Sequence, residues 1–110
     1  MKNPEVYIED ILESIDKIQE YTDLLSEEEF YKDSQVQDAV LRRISVIGEA
    51  VKNIPSDFKE LHQDIPWIEI AGMRDVVIHQ YSGVELRRVW LVIKKDIPEL
   101  KDQIQNLKID

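Results

Sequence analysis

Apolar residues recur along this chain at helical spacing from near its start to near its end. Ile8, Ile11, Leu12, Ile15 and Ile18 fall at i, i+3, i+4, i+7 and i+10, one stripe of an amphipathic helix. Glu9, Asp10, Glu13, Asp16, Lys17 and Glu20 form the opposite, solvated face. This predicts a first helix over Glu5–Leu25. Ser26 followed by Glu29 reads as a capping box opening a short turn through Tyr31. A second helix is predicted over Ser34–Ile54, with Ser34 and Gln37 as its own capping box. Its stripe is Val36, Val40, Ile44, Ile47, Val51 and Ile54, widened by Ala39, Leu41, Val46 and Ala50, so it should be central. Pro55 ends it, and Ser56-Asp57 can restart a turn through Leu61. A third helix should begin at Pro66, run to Tyr81 and stop at Gly83. A fourth covers Val84–Lys94 with Leu86, Val89, Trp90 and Ile93 on one face. Asp96, Pro98 and Glu99 then open a final helix carrying Leu100, Ile104 and Leu107, beyond which the polar tail can fray.

The predicted architecture is therefore all-α, a single domain over residues 1–110 with four to five helices. Composition agrees: 43% of residues are hydrophobic, 34% are charged and only 3 are glycine. A domain of 110 residues buries a modest share of its surface, so a partner chain that covers more would help it. The absence of cysteine excludes disulfides and thiol chemistry and accords with a reducing cytosol. The acidic, amphipathic N-terminus does not read as a targeting peptide. No apolar run approaches the ~20 residues of a membrane span. These features lead us to expect a cytoplasmic protein. The net charge of −9 favours a partner with a basic surface over general nucleic-acid or membrane binding, unless local patches override it.

The third predicted helix carries an oddity. Its stripe runs Trp67, Ile70, Ala71, Arg74, Val77, Ile78 and Tyr81, placing a permanent charge in an apolar row. Such a guanidinium is costly to bury without a partner. At about 100° per residue, Arg74 and His79 bound one broad face that also holds Asp75. Two readings stay open. Arg74 could pair with a structural acid, and Asp75 with His79 could be an ordinary i,i+4 surface pair. Alternatively, a cation and a titratable imidazole converge on a phosphate, Arg74 neutralising its oxygens and His79 moving protons. Asp75 four residues earlier and a nearby helix C-terminus would both favour the imidazolium.

The segment Arg74-Asp-Val-Val-Ile-His79-Gln-Tyr81 resembles the R-x4-H-x-Y signature of the HEPN superfamily, specifically its HepT-like toxins. QDAVLRRISVIGEAVKNI, IPWIEIAGMRDVVIHQYSGVELRRVW and DIPELKDQI resemble the family's later helices in the same order, so the likeness covers most of the chain. It implies a HEPN-like bundle acting as a two-fold homodimer, with Arg74 and His79 of both subunits facing a cleft at the interface. It implies a metal-independent endoribonuclease, without cofactor, belonging to a toxin–antitoxin pair whose antitoxin has a nucleotidyltransferase fold. Asp75 stands where Asn is common and would orient the site, and Arg42 matches a recurrent family arginine. Tyr81 matches a tyrosine that such a partner can modify with AMP. The alternative is a non-catalytic helical dimer serving as a binding module for the nucleotidyltransferase. Asp75 and the net charge keep that alternative open.

Other conspicuous residues read as ordinary. His62, in the polar turn KELHQD, should be exposed. Trp67 and Trp90 lie on apolar stripes and suit a core or an interface. Glu49 lacks any E-x-x-H companion for a metal bundle. Arg87-Arg88 and Lys94-Lys95 could line an RNA path or simply face solvent.

Overall fold

The structure is a computed structural model and describes residues 3–75 and 86–107. Among them, all regular structure is helical. Helix α1 spans Pro4–Thr22, α2 Glu27–Tyr31, α3 Ser34–Asn53, α4 Ser56–Leu61, α5 Trp67–Gly72 and α6 Leu86–Leu91. A π-helical segment, Val92–Asp96, joins α6 to α7, Ile97–Gln105.

Asn3 starts α1 by accepting the Glu5 N–H on its side chain at 3.1 Å, and Pro4 fills the first turn, where no N–H is needed. The helix buries Ile8, Ile11, Ile15 and Ile18 against α3. It ends at Thr22 rather than Leu25, and Leu24 is 96% exposed. The reason is the next cap. Ser26 must be extended (φ −79°, ψ 166°) to receive the Glu29 N–H, while Glu29 reaches back to the Ser26 N–H at 2.9 Å. The capping box predicted there is present.

The second predicted capping box is not. Asp33, one residue earlier, caps α3 by accepting the Val36 N–H at 3.1 Å. That register moves Gln37 one place too far along to return to the cap. Its amide instead donates to the carbonyls of Phe30 and Tyr31, at 2.9 and 3.2 Å, closing the end of α2. α3 is central as expected, with Val40, Ile44, Ile47 and Val51 each at most 1% exposed. Pro55 ends it and Ser56 begins α4.

Two later boundaries differ from the periodicity. The third helix is interrupted: α5 stops at Gly72, and the Met73 N–H tightens onto the Ile70 carbonyl at 3.1 Å before helical backbone resumes at Arg74 and Asp75. The shorter i,i−3 turn brings Met73, 8% exposed, into the buried row. Arg74 is thereby released to a half-exposed position. Val77, Ile78 and the rest of the predicted helix, with the Gly83 stop and the Val84 start, lie outside the described residues.

The expected break near Asp96 is a continuous helical run. Leu91, Asp96 and Ile97 all have right-handed helical backbone, and the Ile97 N–H bonds to the Val92 carbonyl five residues back. Pro98 has no N–H to offer Lys94, and in a regular helix its ring would press on that carbonyl. A wider turn just upstream absorbs the mismatch, so the helical run continues through the proline.

The far end of the core is aromatic. Phe30 is fully buried and its ring lies 5.3 Å from Trp90, tying α2 to α6. No helix among the described residues is long and apolar enough to cross a membrane.

Candidate functional site

The site grows from the crossing of α3 with the residues that follow α5. Gly48 is buried on α3, and the stem of Arg74 lies over it. A Cβ built at residue 48 would stand 2.6 Å from the Arg74 Cδ and collide with its Cγ. The backbone itself leaves room, since that Cβ would stand 3.5 Å from the Ala71 carbonyl oxygen, an ordinary contact. Beyond the glycine, the Arg74 Nη1 donates to the Glu49 Oε2 at 3.1 Å. The pair is open to solvent, with side-chain exposures of 36% for Arg74 and 60% for Glu49.

Beside the pair is a shallow depression lined by Lys52, Ala71, Gly72, Arg74 and Asp75. Asp75 is exposed. Arg42 is exposed too, seven residues before Glu49 on α3 and therefore on the same face, about 10 Å away along an axis rising 1.5 Å per residue. The structure thus places Arg74 and Asp75 together at a depression, with Arg42 further along α3 and outside its lining. His79 and Tyr81, the remaining predicted site residues, lie outside the described residues.

Glu49 and Gly48 are absent from the predicted site. Arg74 does meet an acid, as one sequence reading allowed, but that acid is 25 positions away and no local spacing signals the pair. The glycine inside a long apolar helix was the available clue, since it costs helical stability unless something needs the space.

The net charge looks different once it is divided along the chain. Residues 1–31 hold ten acidic side chains against Lys2 and Lys17, a balance of −8, so the remaining chain carries only −1. The negative field belongs mainly to α1 and α2.

The other basic residues serve less directly. Arg87 and Arg88 are exposed on α6. Arg87 faces Tyr31, whose phenol is held above its usual range first by its hydrogen bond to Glu27, with Arg87 pulling the other way. The Lys94 ammonium sits 4.8 Å from the centre of the Trp90 ring, a cation–π contact. Trp67 is core, 8% exposed, and its indole N–H donates to the His62 carbonyl at 3.0 Å. His62 is not the bare surface residue expected of a polar turn. It is half-buried with its ring 4.6 Å from Phe58, because the turn folds back under Trp67. Among the described residues, no three of His, Cys, Asp and Glu converge as metal ligands would.

Comparison with known proteins places the chain. Residues 11–107 match the family described as Ribonuclease HepT-like. The chain is 50% identical over 103 residues to a Methanocaldococcus jannaschii protein named "Gamma-glutamylcyclotransferase and putative RNase"; the match covers 94% of this chain and 46% of that protein. The chain therefore spans less than half the length of that relative. It is 50% identical over 102 residues to the "Probable ribonuclease HepT" of Thermococcus cleftensis, with 93% of each protein covered. It is 46% identical over 107 residues to a "Putative RNase" of Caldanaerobacter subterraneus subsp. tengcongensis, covering 97% of this chain and 96% of that one. No solved structure matches it. The family match takes in residues 11–107 and two of these relatives are matched almost end to end, so the chain belongs to the Ribonuclease HepT-like family.

Proposed function

We propose that this chain is a metal-independent endoribonuclease, the toxin of a toxin–antitoxin pair, working as a two-fold homodimer through Arg74 and His79. The observation that carries the reading is the position of Arg74. It is a half-exposed cation at the edge of an open depression, five residues before His79 in sequence. Three relatives of high identity bear RNase names. Most of the negative charge, −8 of −9, lies in residues 1–31 and not in the stretch that holds the site residues, which supports RNA as a ligand.

The chemistry is transesterification. An RNA 2′-oxygen attacks the adjacent phosphorus, and the bond from phosphorus to the 5′-oxygen breaks. His79 takes the 2′-hydroxyl proton, and the same residue of the second subunit supplies a proton to the departing 5′-oxygen. Arg74 stabilises the charge that builds on the phosphoryl oxygens. Asp75 orients the site, and Arg42 holds a neighbouring phosphate.

The test is a gel assay on cellular RNA in EDTA, with circular dichroism to check folding and light scattering to count subunits. Cleavage should persist in EDTA and disappear in Arg74→Ala and in His79→Ala, and the wild type should be dimeric. Wild-type cleavage in either variant would overturn the assignment. The non-catalytic reading, a binding module for a nucleotidyltransferase, draws on the Arg74–Glu49 pair, which neutralises the cation in the free chain. It predicts no cleavage by any variant but retained partner binding.

Control by the nucleotidyltransferase-fold antitoxin would act at Tyr81. An attached AMP brings negative charge and bulk close in sequence to His79, repelling RNA phosphate. Intact-mass measurement after co-expression with the partner should show an added adenylyl group on the wild type and none at this position in Tyr81→Phe. Equal neutralisation of both proteins would rule out modification there as the mechanism.

A further inference from the structure

We infer that Glu49 is the positioning residue of Arg74 and that Gly48 is the seat for its stem, so that the guanidinium is aimed before RNA arrives. The inference rests on the ribonuclease reading above and adds two residues to it.

An ordinary salt bridge does not account for the arrangement. Both side chains are substantially exposed, and such pairs contribute little to stability. The glycine is harder still to explain as structure. It stands deep inside α3, a 20-residue helix, where alanine would hold the helix better. The α3 backbone does not need it for the crossing, since an added Cβ would meet the Ala71 carbonyl oxygen at 3.5 Å, an ordinary distance. Among the described residues, what a side chain at 48 would displace is the Cγ and Cδ of Arg74. The missing side chain makes room for this one arginine, and the next residue, Glu49, takes hold of its end at 3.1 Å. Adjacent positions on the long, well-packed α3 thus fix both the stem and the head of a flexible side chain that springs from just beyond the interruption at Met73.

The arrangement fits a catalytic cation. Misplacing a reacting group by about 1 Å can cost on the order of a hundredfold in rate, and a free arginine samples many rotamers. The same carboxylate has a cost for binding, because a negative charge beside the depression repels phosphate. Glu49 therefore improves turnover at the expense of affinity. A purely structural residue would not produce that opposition.

The experiment compares the full-length wild type with Glu49→Gln and Gly48→Ala, using a defined single-stranded RNA under steady-state conditions. Glu49→Gln should lower kcat by about tenfold or more while lowering KM, because the repelling charge is gone. Gly48→Ala keeps every charge and should lower kcat with its melting temperature unchanged or raised. In the free proteins, the side-chain Nε–H resonance of Arg74 in nitrogen-15 NMR should shift or broaden in both variants. A kcat within twofold of wild type in both variants, or an unchanged Arg74 resonance, would overturn the inference. Cleavage that needs Arg74 but neither Glu49 nor Gly48 sinks this inference alone. No cleavage by the wild type sinks the ribonuclease reading, and this one with it.

Discussion

The ring of Phe30 is fully buried against Trp90, with centroids 5.3 Å apart and planes inclined by 35°. α2 is only five residues long, too short to hold itself together, so it is fastened by this contact together with the bonds from the Gln37 amide on α3 to the Phe30 and Tyr31 carbonyls. Phe30→Ala should cost about 3–5 kcal/mol, a large part of the ~5–15 kcal/mol that a small domain has. Urea unfolding checks the magnitude, and a red shift in tryptophan emission would report Trp90 opening to water. A loss under about 1 kcal/mol would mean that α2 is held by other contacts.

Two buried hydroxyls on α1 should respond in opposite directions. Thr22 is 1% exposed and donates to the Ile18 carbonyl at 2.7 Å. Ser14 is fully buried, and its Oγ has no hydrogen-bond partner among the described residues. Removing an unsatisfied buried hydroxyl relieves a desolvation penalty, and alanine is also the better helix former. Ser14→Ala should therefore stabilise the chain by about 1 kcal/mol. Thr22→Ala gives up a made hydrogen bond and a buried methyl and should cost about 1–2 kcal/mol. Chemical denaturation of the two variants side by side is sufficient, and a destabilised Ser14→Ala would show that the hydroxyl is satisfied in solution.

Asp96 supplies a pH test. Asp96 is exposed at the surface, yet partial desolvation first, and then the neighbouring Glu99, raise its pKa from the ordinary carboxylate value, while Lys95 opposes them. The folded chain therefore holds this proton more tightly than the unfolded chain. The contribution to stability is fully present below the unfolded pKa and is lost as pH rises through the folded one. At neutral pH an ionised Asp96 faces Glu99, with Glu69 across the same groove. Because solvent screens this exposed group, Asp96→Asn should raise stability at pH 7 only slightly, by at most about 0.5 kcal/mol, and the difference should vanish near pH ~3, where the wild-type carboxyl is protonated. An advantage of equal size at both pH values would point to packing instead.

What the sequence made legible was whatever depends on local order. The stripe from Ile8 to Ile18, the Ser26 capping box and the stop at Pro55 are each written within a few residues, and each is found where expected. The misreadings come from competition between local options. Asp33 outbids Ser34 as a cap. Met73 takes the buried place that strict periodicity gives to Arg74. Pro98 does stand in the first turn of the last helix, as expected, but a π turn joins that helix to the one before it instead of a break. At the site, Arg74 stood out because a charge in an apolar row is unusual, and the family likeness singled out Arg42, Asp75, His79 and Tyr81. Glu49 could not stand out in the same way, because its significance lies in a tertiary contact with a residue 25 positions away.

Arg42 offers the sharpest check on how RNA would meet this surface. It is exposed on the α3 face that carries Glu49, and it lies outside the acidic segment of residues 1–31. If RNA binds as proposed, a cation there would hold a phosphate next to the reacting one, since it is about 10 Å from Glu49 along the helix and no described contact joins it to Arg74. Binding to single-stranded RNA should therefore weaken with salt, and each phosphate contact contributes about 0.7 to the slope of log affinity against log salt. Arg42→Ala should reduce that slope by about 0.7 per lost contact, or about 1.4 per dimer if both subunits engage one strand. If Arg42 holds a phosphate other than the reacting one, affinity should fall while kcat at saturating RNA stays near wild type. The slope is measured by fluorescence anisotropy with labelled RNA from low to physiological salt, in a His79→Ala background so that the strand survives, and kcat separately in Arg42→Ala with His79 intact. An unchanged slope would mean that Arg42 is simply a solvated residue. A fall in kcat without a change in slope would instead place it among the groups that touch the reacting phosphate.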